Sequence, residues 1–562
     1  MKYILCLCNI ASRMKLKVFL LLVFLINLLQ GIYTPIIDDE AYYWMWSLRL
    51  DTGYFDHPPM IAIWIKLSDL FLDGEIGARL ITIFFNTITA LLFWKTVNPT
   101  SRKERNIFFI TYFSLVLIQV FSWVSTPDAP LLFFTVFYLY VLKVYLNKQT
   151  IVSTTLLGIC FAGLMYSKYH GILVIFFTLV PLLGFVLRKS SFYLAVVLSL
   201  ILYTPHFLWL YENDFPPVSY HFIDRSAEQK FSFIHPITYI VTALLSAAGL
   251  LVVFLGNALK RVDQKDLFQR AIFWLAIGPF FFFLISTLKD TTQVQWLLIS
   301  YIACGFLLYW YIVSIKNLKW FYITGLTTAG LIGIARVVIM IPEVSPFHET
   351  KKFGKLAGEL VTEDVIAFEK YQEASIFQFY NRDKRGVVYR TLGNRSSQFN
   401  LWDDESLLNQ PFNYVTPWME SKQSFKGLKG KEYYINRIEN YSPIHRSRIE
   451  FLNVKEQPID LKQNEIIDLT IQLNDFDIQL LKAHKVGLSL FITKDQQYNI
   501  VDDVNIPLEN WSNIGESKDG FMFNISYRIP LEPGNYTAYI GITPSGLIAK
   551  YQSKPLKIIV TE

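Results

Sequence analysis

Three consecutive carboxylic acids, Asp38-Asp39-Glu40, close an apolar run and precede Tyr42-Tyr43-Trp44; the turn Gly53-Tyr54-Phe55-Asp56-His57-Pro58-Pro59 follows. Ionised carboxylates at the edge of hydrocarbon are costly, so solvation or a function must offset them. Asp128 lies in Ser125-Thr126-Pro127-Asp128-Ala129-Pro130, between two prolines at the start of another apolar run. Lys168, Tyr169 and His170 share the turn Tyr166–Gly171, and Lys289-Asp290 forms a further polar break. Each has a plainer reading: loop charge in water, a helix cap for Asp128, an interfacial lysine with its head in water for Lys168 and Lys289. Brought to one mouth, they would make a site able to take a proton from a hydroxyl and hold a phosphate.

The elements that must do this positioning are membrane helices. The chain has 562 residues, of which 52% are hydrophobic and 17% charged, where an ordinary soluble domain is about a quarter charged. Residues 1–341 carry 26 Lys+Arg and 17 Asp+Glu, whereas 342–562 carry 26 and 29. The first part is therefore an apolar body of net +9 and the second a soluble region of net −3. A fully soluble enzyme, a disordered chain and a nucleic-acid binder fit poorly. A span needs about 20 apolar residues, and eleven such runs lie near 16–33, 76–96, 106–123, 128–146, 151–166, 170–187, 191–210, 236–259, 268–288, 294–314 and 319–341. Met60–Leu72, shorter and carrying Lys66 and Asp69, reads as an interfacial helix. Basic residues fill one set of alternate loops (Lys15, Arg102-Lys103, Lys148, Arg188-Lys189, Lys260-Arg261, Lys316). The positive-inside rule puts these and the N-terminus in the cytoplasm, and an odd number of spans puts residues 342–562 and the acidic turns outside.

Four cysteines, Cys6, Cys8, Cys160 and Cys304, all precede residue 342, so no disulfide framework is expected beyond it. Residues 342–432 read as mixed α/β, with a helical pattern over Phe353–Phe368 and a short strand at Gly386–Tyr389. From 433 to 562 a β-sandwich is expected. Alternation at Ile467, Leu469, Ile471 and Leu473, and again at Phe521, Phe523, Ile525 and Tyr527, has the period of a strand with one buried face.

The Asp39-Glu40 pair with its aromatic run, the Gly-Tyr-Phe-Asp-His-Pro-Pro-Met turn, Thr126-Pro127-Asp128-Ala129 and Ser167-Lys168-Tyr169-His170-Gly171 resemble the bacterial GT-C glycosyltransferases. The closest branch is that of the protein O-mannosyltransferases and the lipid A aminoarabinose transferase. The resemblance continues into Pro346-Phe347-His348, Tyr371–Ser375 and Arg395–Trp402, and ends before the sandwich. It implies a polytopic α-helical membrane protein with a C-terminal α/β and β-sandwich region. The implied activity is transfer of a sugar from a polyprenyl-phosphate donor to an acceptor hydroxyl of a glycan, lipid or protein at the outer face of a bacterial cell membrane.

By that resemblance Asp39 is the candidate general base, Glu40 orients it or the acceptor, and Asp128 is a second functional acid. Asp38 is an equal alternative for the base. Lys168, Lys289 and Arg225 are candidates for the donor phosphate, while Asp56, His57, Tyr42, Tyr43, Tyr169 and His170 line the substrate region. His57 stands where the aminoarabinose branch often has lysine. No cofactor follows; a divalent metal on Asp38, Asp39, Glu40 and His57 is conceivable by ligand type but not favoured. A single displacement with one base predicts inversion at the anomeric carbon. A lipid-linked-sugar flippase, or a glycan polymerase or ligase, is the alternative class.

Overall fold

The computed structural model describes residues 15–219, 234–288, 291–389, 396–402, 405–407, 410–439, 449–454, 457–473, 487–494, 500–506, 513–517, 520–528, 531–543, 550–551, 553 and 555–562. Arg225, Lys289 and Asp290 lie outside these residues. The chain divides into two compact units, residues 1–351 and 352–562.

The first unit is a helical body. Its elements are α1 (Leu16–Tyr33), α2 (Asp38–Leu48), α3 (Met60–Asp69), α4 (Gly74–Val97), α5 (Arg102–Ser114), α6 (Val116–Phe121), α7 (Asp128–Asn147), α8 (Ile151–Ser167), α9 (Gly171–Leu179), α10 (Leu183–Val186), α11 (Ser190–Glu212), α12 (Ile234–Ala248), α13 (Leu255–Lys260), α14 (Leu267–Ser286), α15 (Leu298–Ser314) and α16 (Lys319–Val338). Eight segments among the described residues are long and apolar enough to cross a bilayer: α1, α4, α7, α11, 234–260, α14, 294–314 and α16. The other three expected runs also form helix, but shorter or broken. Leu115 leaves helical geometry (ψ 95°) and separates α5 from α6. Ile151–Ser167 holds 17 residues, and Pro181 sits in a 3-10 turn between α9 and α10. The described residues thus give eight spans by length, and not the eleven expected. The protein is a multi-pass membrane protein.

Local chemistry sets the helix ends. Asn98, left-handed at φ 51°, closes α4 ahead of Pro99. Ser101 caps α5, Thr150 and Ser153 cap α8 reciprocally, and Asp266 accepts from the Phe268 and Gln269 amides of α14. Such caps satisfy amides that a helix start leaves unpaired.

Cross-helix bonds show which ends lie together. Lys103 donates to the Val313 and Ile315 carbonyls (3.2 and 3.1 Å), Lys143 to the Thr96 carbonyl (2.6 Å) and Arg261 to the Ser314 hydroxyl (3.2 Å). This end of the body holds the basic loops. At the opposite end Arg336 of α16 donates to Asn27 Oδ1 (2.8 Å) and Gln30 Oε1 (3.2 Å) of α1. The acidic turns lie at that second end.

The second unit begins with a five-stranded sheet in the order β2-β1-β3-β5-β4. Its strands are β1 (Val365–Phe368), β2 (Arg385–Val388), β3 (Phe412–Thr416), β4 (Ser424–Lys426) and β5 (Glu432–Ile438). β1 pairs in parallel with β2 and β3, and the rest are antiparallel. The helix expected over 353–368 instead occupies Phe347–Leu360 (α17), and Val365–Phe368 is strand. Thr362-Glu363-Asp364 breaks the helical pattern, and the four-residue apolar run behind it is buried on both faces, as a central parallel strand must be. Because β5 belongs to this sheet, the mixed sheet runs to Ile438, past the boundary placed at 432.

Beyond it, β6 (Ile449–Phe451), β8 (Ile466–Leu473), β11 (Asn513–Ser517) and β12 (Gly520–Arg528) form one sheet. A second holds β7 (Ile459–Lys462), β9 (Gly487–Lys494), β10 (Ile500–Ile506), β13 (Gly534–Thr543), β14 (Lys550–Tyr551) and β15 (Leu556–Thr561). Ile467, Leu469 and Ile471 of the first share one core with Leu490, Ile492, Ala538, Ile540 and Ile558 of the second, which makes a sandwich.

Candidate active site

The Asp38-Asp39-Glu40 triplet forms the first turn of α2, where the unpaired amides of the helix start favour negative charge. At 100° per residue the three side chains diverge, and the structure divides them. Asp38 and Asp39 are exposed, with the Asp39 amide donating to Asp38 Oδ1 at 2.9 Å. Glu40 turns inward and is fully buried. Arg79 of α4 meets it with a fork, Nε to Oε1 at 2.8 Å and Nη2 to Oε2 at 2.5 Å. Arg79 also donates to the carbonyls of Gly31, Thr34 and Pro35, and the Ser125 amide donates to Glu40 Oε1 at 2.7 Å. One salt bridge thereby ties the end of α1, the start of α2, α4 and the Ser125 turn into a single clamp. A buried charge pair persists only when its remaining hydrogen-bonding capacity is filled, and this one is filled by backbone.

Asp128, which follows Ser125 of the clamp in the same turn, meets Lys168. Lys168 Nζ lies 2.8 Å from Asp128 Oδ1 and 2.9 Å from Oδ2, with both side chains more than nine-tenths buried. The sequence placed them in separate turns; the antiparallel packing of α7 and α8 joins them.

The rest of loop one is held by its aromatic residues. Tyr42 is buried and donates to Asp56 Oδ2 at 2.9 Å. Trp46 stacks on Tyr54 at 4.5 Å, and Tyr43 packs edge-on against Trp46 and lies 6.0 Å from the His57 ring. The Tyr54 hydroxyl donates to carbonyls of Trp46 and Arg49, and burial pushes its pKa above the usual phenol range. Tyr42, Tyr43 and Asp56 therefore shape the loop from within.

On the far side the loop docks on α11. Trp209 Nε1 donates to Asp51 Oδ2 at 2.9 Å, and His206 Nδ1 lies 2.7 Å from the Thr52 carbonyl. Since a carbonyl only accepts, Nδ1 carries the proton and Nε2 accepts from the Tyr169 hydroxyl at 3.2 Å. Gly53 allows this approach, because a Cβ there would stand 2.3 Å from the Trp209 ring. His170 points elsewhere, 5.5 Å from the rings of Phe283 and Trp296.

Among the described residues the structure therefore gathers Asp38, Asp39, Glu40, Asp56, His57, Asp128, Lys168 and Tyr169 at one end of the body. The sequence reading missed Arg79, Ser125, His206 and Trp209 as supports. Arg79 carried a signal: an arginine inside an apolar run must find a partner. His206 and Trp209 carried none. Asp38, Asp39, Glu40 and His57 do not form a metal-binding group; no cluster of three or more His, Cys, Asp or Glu suited to a metal occurs among the described residues.

Residues 56–209 match the family described as dolichyl-phosphate-mannose-protein mannosyltransferase. Over 95 residues the chain is 35% identical to lipid A galacturonosyltransferase RgtD of Rhizobium johnstonii, a stretch of 16% of this chain and 20% of that protein. The chain thus matches about a fifth of the length of this curated relative. The structure resembles that of ArnT from Cupriavidus metallidurans in the apo state, with TM-score 0.56 and 12% identity over 75% of this chain and 97% of ArnT. Against ArnT bound to undecaprenyl phosphate the TM-score is 0.53 at 11% identity, with the same coverage. The chain has the ArnT fold.

Proposed function

We propose that the chain is an integral-membrane glycosyltransferase that moves a sugar from a polyprenyl-phosphate donor to an acceptor hydroxyl at the acidic end of its helical body. The observation that carries the reading is the division of labour in the triplet: Glu40 is locked into the Arg79 clamp, Asp38 and Asp39 stay exposed, and the same clamp takes in Ser125 of the turn that leads to Asp128. The matched mannosyltransferase segment, the RgtD likeness and the ArnT fold support the same class.

An acceptor hydroxyl is a weak nucleophile until a base takes its proton. Asp39 receives that proton as the acceptor oxygen bonds to C1 of the sugar. The C1–O bond to phosphate breaks with its electron pair, and polyprenyl phosphate leaves. Attack on one face with departure from the other inverts the anomeric centre. Charge grows on the phosphate as the bond breaks, and a preorganised cation stabilises it. Lys168 is the cation assigned to this role: an ammonium has three N–H donors, and its two bonds to Asp128 leave a third. Asp128 is then the residue that positions Lys168. Lys289 and Arg225 are further phosphate ligands in this scheme, and Asp38, His57 and Tyr169 are its sugar contacts, while His170, packed against Phe283 and Trp296, takes no part. By the positive-inside rule this end faces the outside of a bacterial cell membrane and the N-terminus the cytoplasm.

The test is transfer from a purified polyprenyl-phosphate sugar by the full chain carrying Asp39→Asn. Donor binding should persist while transfer is lost. Unchanged transfer would overturn the assignment of the base, and donor transport without any transfer would favour a flippase.

A further inference from the structure

At the opposite, basic end of the body lies a cleft of about 480 Å³ lined by Pro181, Gly184, Phe185, Arg188, Lys189 and Arg270. Three of the six residues are cations and none is an acid. The wall is made by two elements remote in sequence, the break between α9 and α11 and the first turn of α14. Pro181 stops α9 in a 3-10 turn, and the chain turns through Arg188-Lys189 before α11 begins.

Several features show that this is more than a topological signal. Lys189 Nζ lies over the Phe185 ring at 5.2 Å, which fixes its direction along the cleft wall. Arg270 Nε is buried without a hydrogen-bond partner among the described residues. The nearest acid on the same turn, Asp266, is committed to the Phe268 and Gln269 amides as the helix cap. Three like charges around one cavity, one of them holding an unfilled donor, call for an anion that accepts hydrogen bonds from guanidinium groups. A phosphate has that chemistry.

The surroundings distinguish the source of the phosphate. Val180, Leu183 and Leu187, on the same break, are 44%, 41% and 48% exposed. An apolar outer rim beside a cationic cleft suits a molecule with both acyl chains and a charged head, and basic clefts between helices at a membrane surface recognise anionic lipid headgroups. We infer that this cleft binds the phosphate headgroup of an anionic glycerophospholipid from the leaflet at the basic end, with Arg188, Lys189 and Arg270 as its ligands. The inference stands apart from the acidic end and its chemistry.

The full chain, purified in detergent, is offered phosphatidylglycerol, phosphatidylcholine or inorganic phosphate, and bound lipid is read by native mass spectrometry and by thermal shift. Phosphatidylglycerol should be retained and raise the melting temperature; phosphatidylcholine should not. The variant Arg188→Gln/Lys189→Gln/Arg270→Gln should bind phosphatidylglycerol roughly 10²-fold more weakly, as expected for three cations near an anionic head. Arg188→Gln alone alters only an exposed side chain and should show a partial loss, which keeps the test open if the triple variant folds poorly. Retention of phosphatidylglycerol by the folded triple variant as in the wild type, or equal retention of phosphatidylcholine, would overturn the inference. Equal protection by inorganic phosphate would overturn the lipid as its source.

Discussion

Arg79 and Glu40, 39 residues apart in sequence, form a two-pronged salt bridge with neither side chain exposed to solvent. The same guanidinium holds the carbonyls that end α1, so the pair fixes the direction in which α2 leaves the body and with it the place of Asp39. Removing one partner of a buried pair leaves the other charge unpaired, which typically costs about 3–5 kcal/mol. Arg79→Ala and Glu40→Ala should each lower the melting temperature of the purified chain. The double variant should be more stable than the sum of the two losses predicts, because it leaves neither charge alone. Strict additivity would show that the pair is not coupled.

Asp38 and Asp39 share a helix turn but face different directions. Asp39→Asn should reduce the transfer rate by about 10²–10⁴-fold, the usual worth of a general base, with donor affinity retained. Asp38→Asn should leave most of the rate. The reverse pattern would make Asp38 the base.

Asp128 and Lys168 should behave as one unit. Asp128→Asn and Lys168→Gln are each expected to lower kcat/KM for the lipid-linked donor, and the double variant should lose no more than the worse single one. Lys168→Arg should not rescue, because the buried site is fitted to an ammonium at 2.8–2.9 Å from both carboxylate oxygens. Two independent, multiplying losses would separate their roles.

Gly53→Ala tests the docking of loop one. Its Cβ would press on the Trp209 ring at 2.3 Å and on His206 Nδ1 at 2.9 Å. Overpacking of this kind costs about 1–3 kcal/mol. Transfer should fall and protease cleavage within residues 49–58 should rise, whereas a tight wild-type cleavage pattern would show that the loop does not depend on this contact.

In the second unit, burial pushes the Glu373 carboxyl up to about 7 from its ordinary 4.5, although the Tyr433 hydroxyl donates to it at 2.9 Å. The folded unit therefore holds a proton that the unfolded chain gives up above pH 4.5. Its stabilising contribution is full below that pH and is lost as pH rises through about 7, up to roughly 3 kcal/mol in all. Protease resistance of residues 352–438 in the full chain should fall between pH 5 and pH 8. Glu373→Gln should flatten that dependence.

Much of this molecule was already written in the order of its residues. Spans appear because a bilayer demands long apolar runs, and the acids at their ends stood out because charge beside hydrocarbon needs a reason. The alternation in β8 and β12 is a local period, visible without any fold. Where the sequence misled, a competing local preference was at work: Val365–Phe368 continued a helical pattern on paper, but four buried apolar residues became an interior strand of a mixed sheet, with a parallel partner on each side. Leu115 and Pro181 divided helices that composition alone made continuous.

Tertiary structure decided the pairings. Glu40 and Asp39 are adjacent acids, yet one is a buried anchor and the other an exposed carboxylate, because a helix turns its side chains apart and Arg79 lies on only one side. Asp128 found Lys168, and Thr52 found His206, through packing between helices distant in sequence. Residue type and local spacing determine which groups can do chemistry at the ends of these helices. Which of them meet depends on long-range packing, and no local pattern records that.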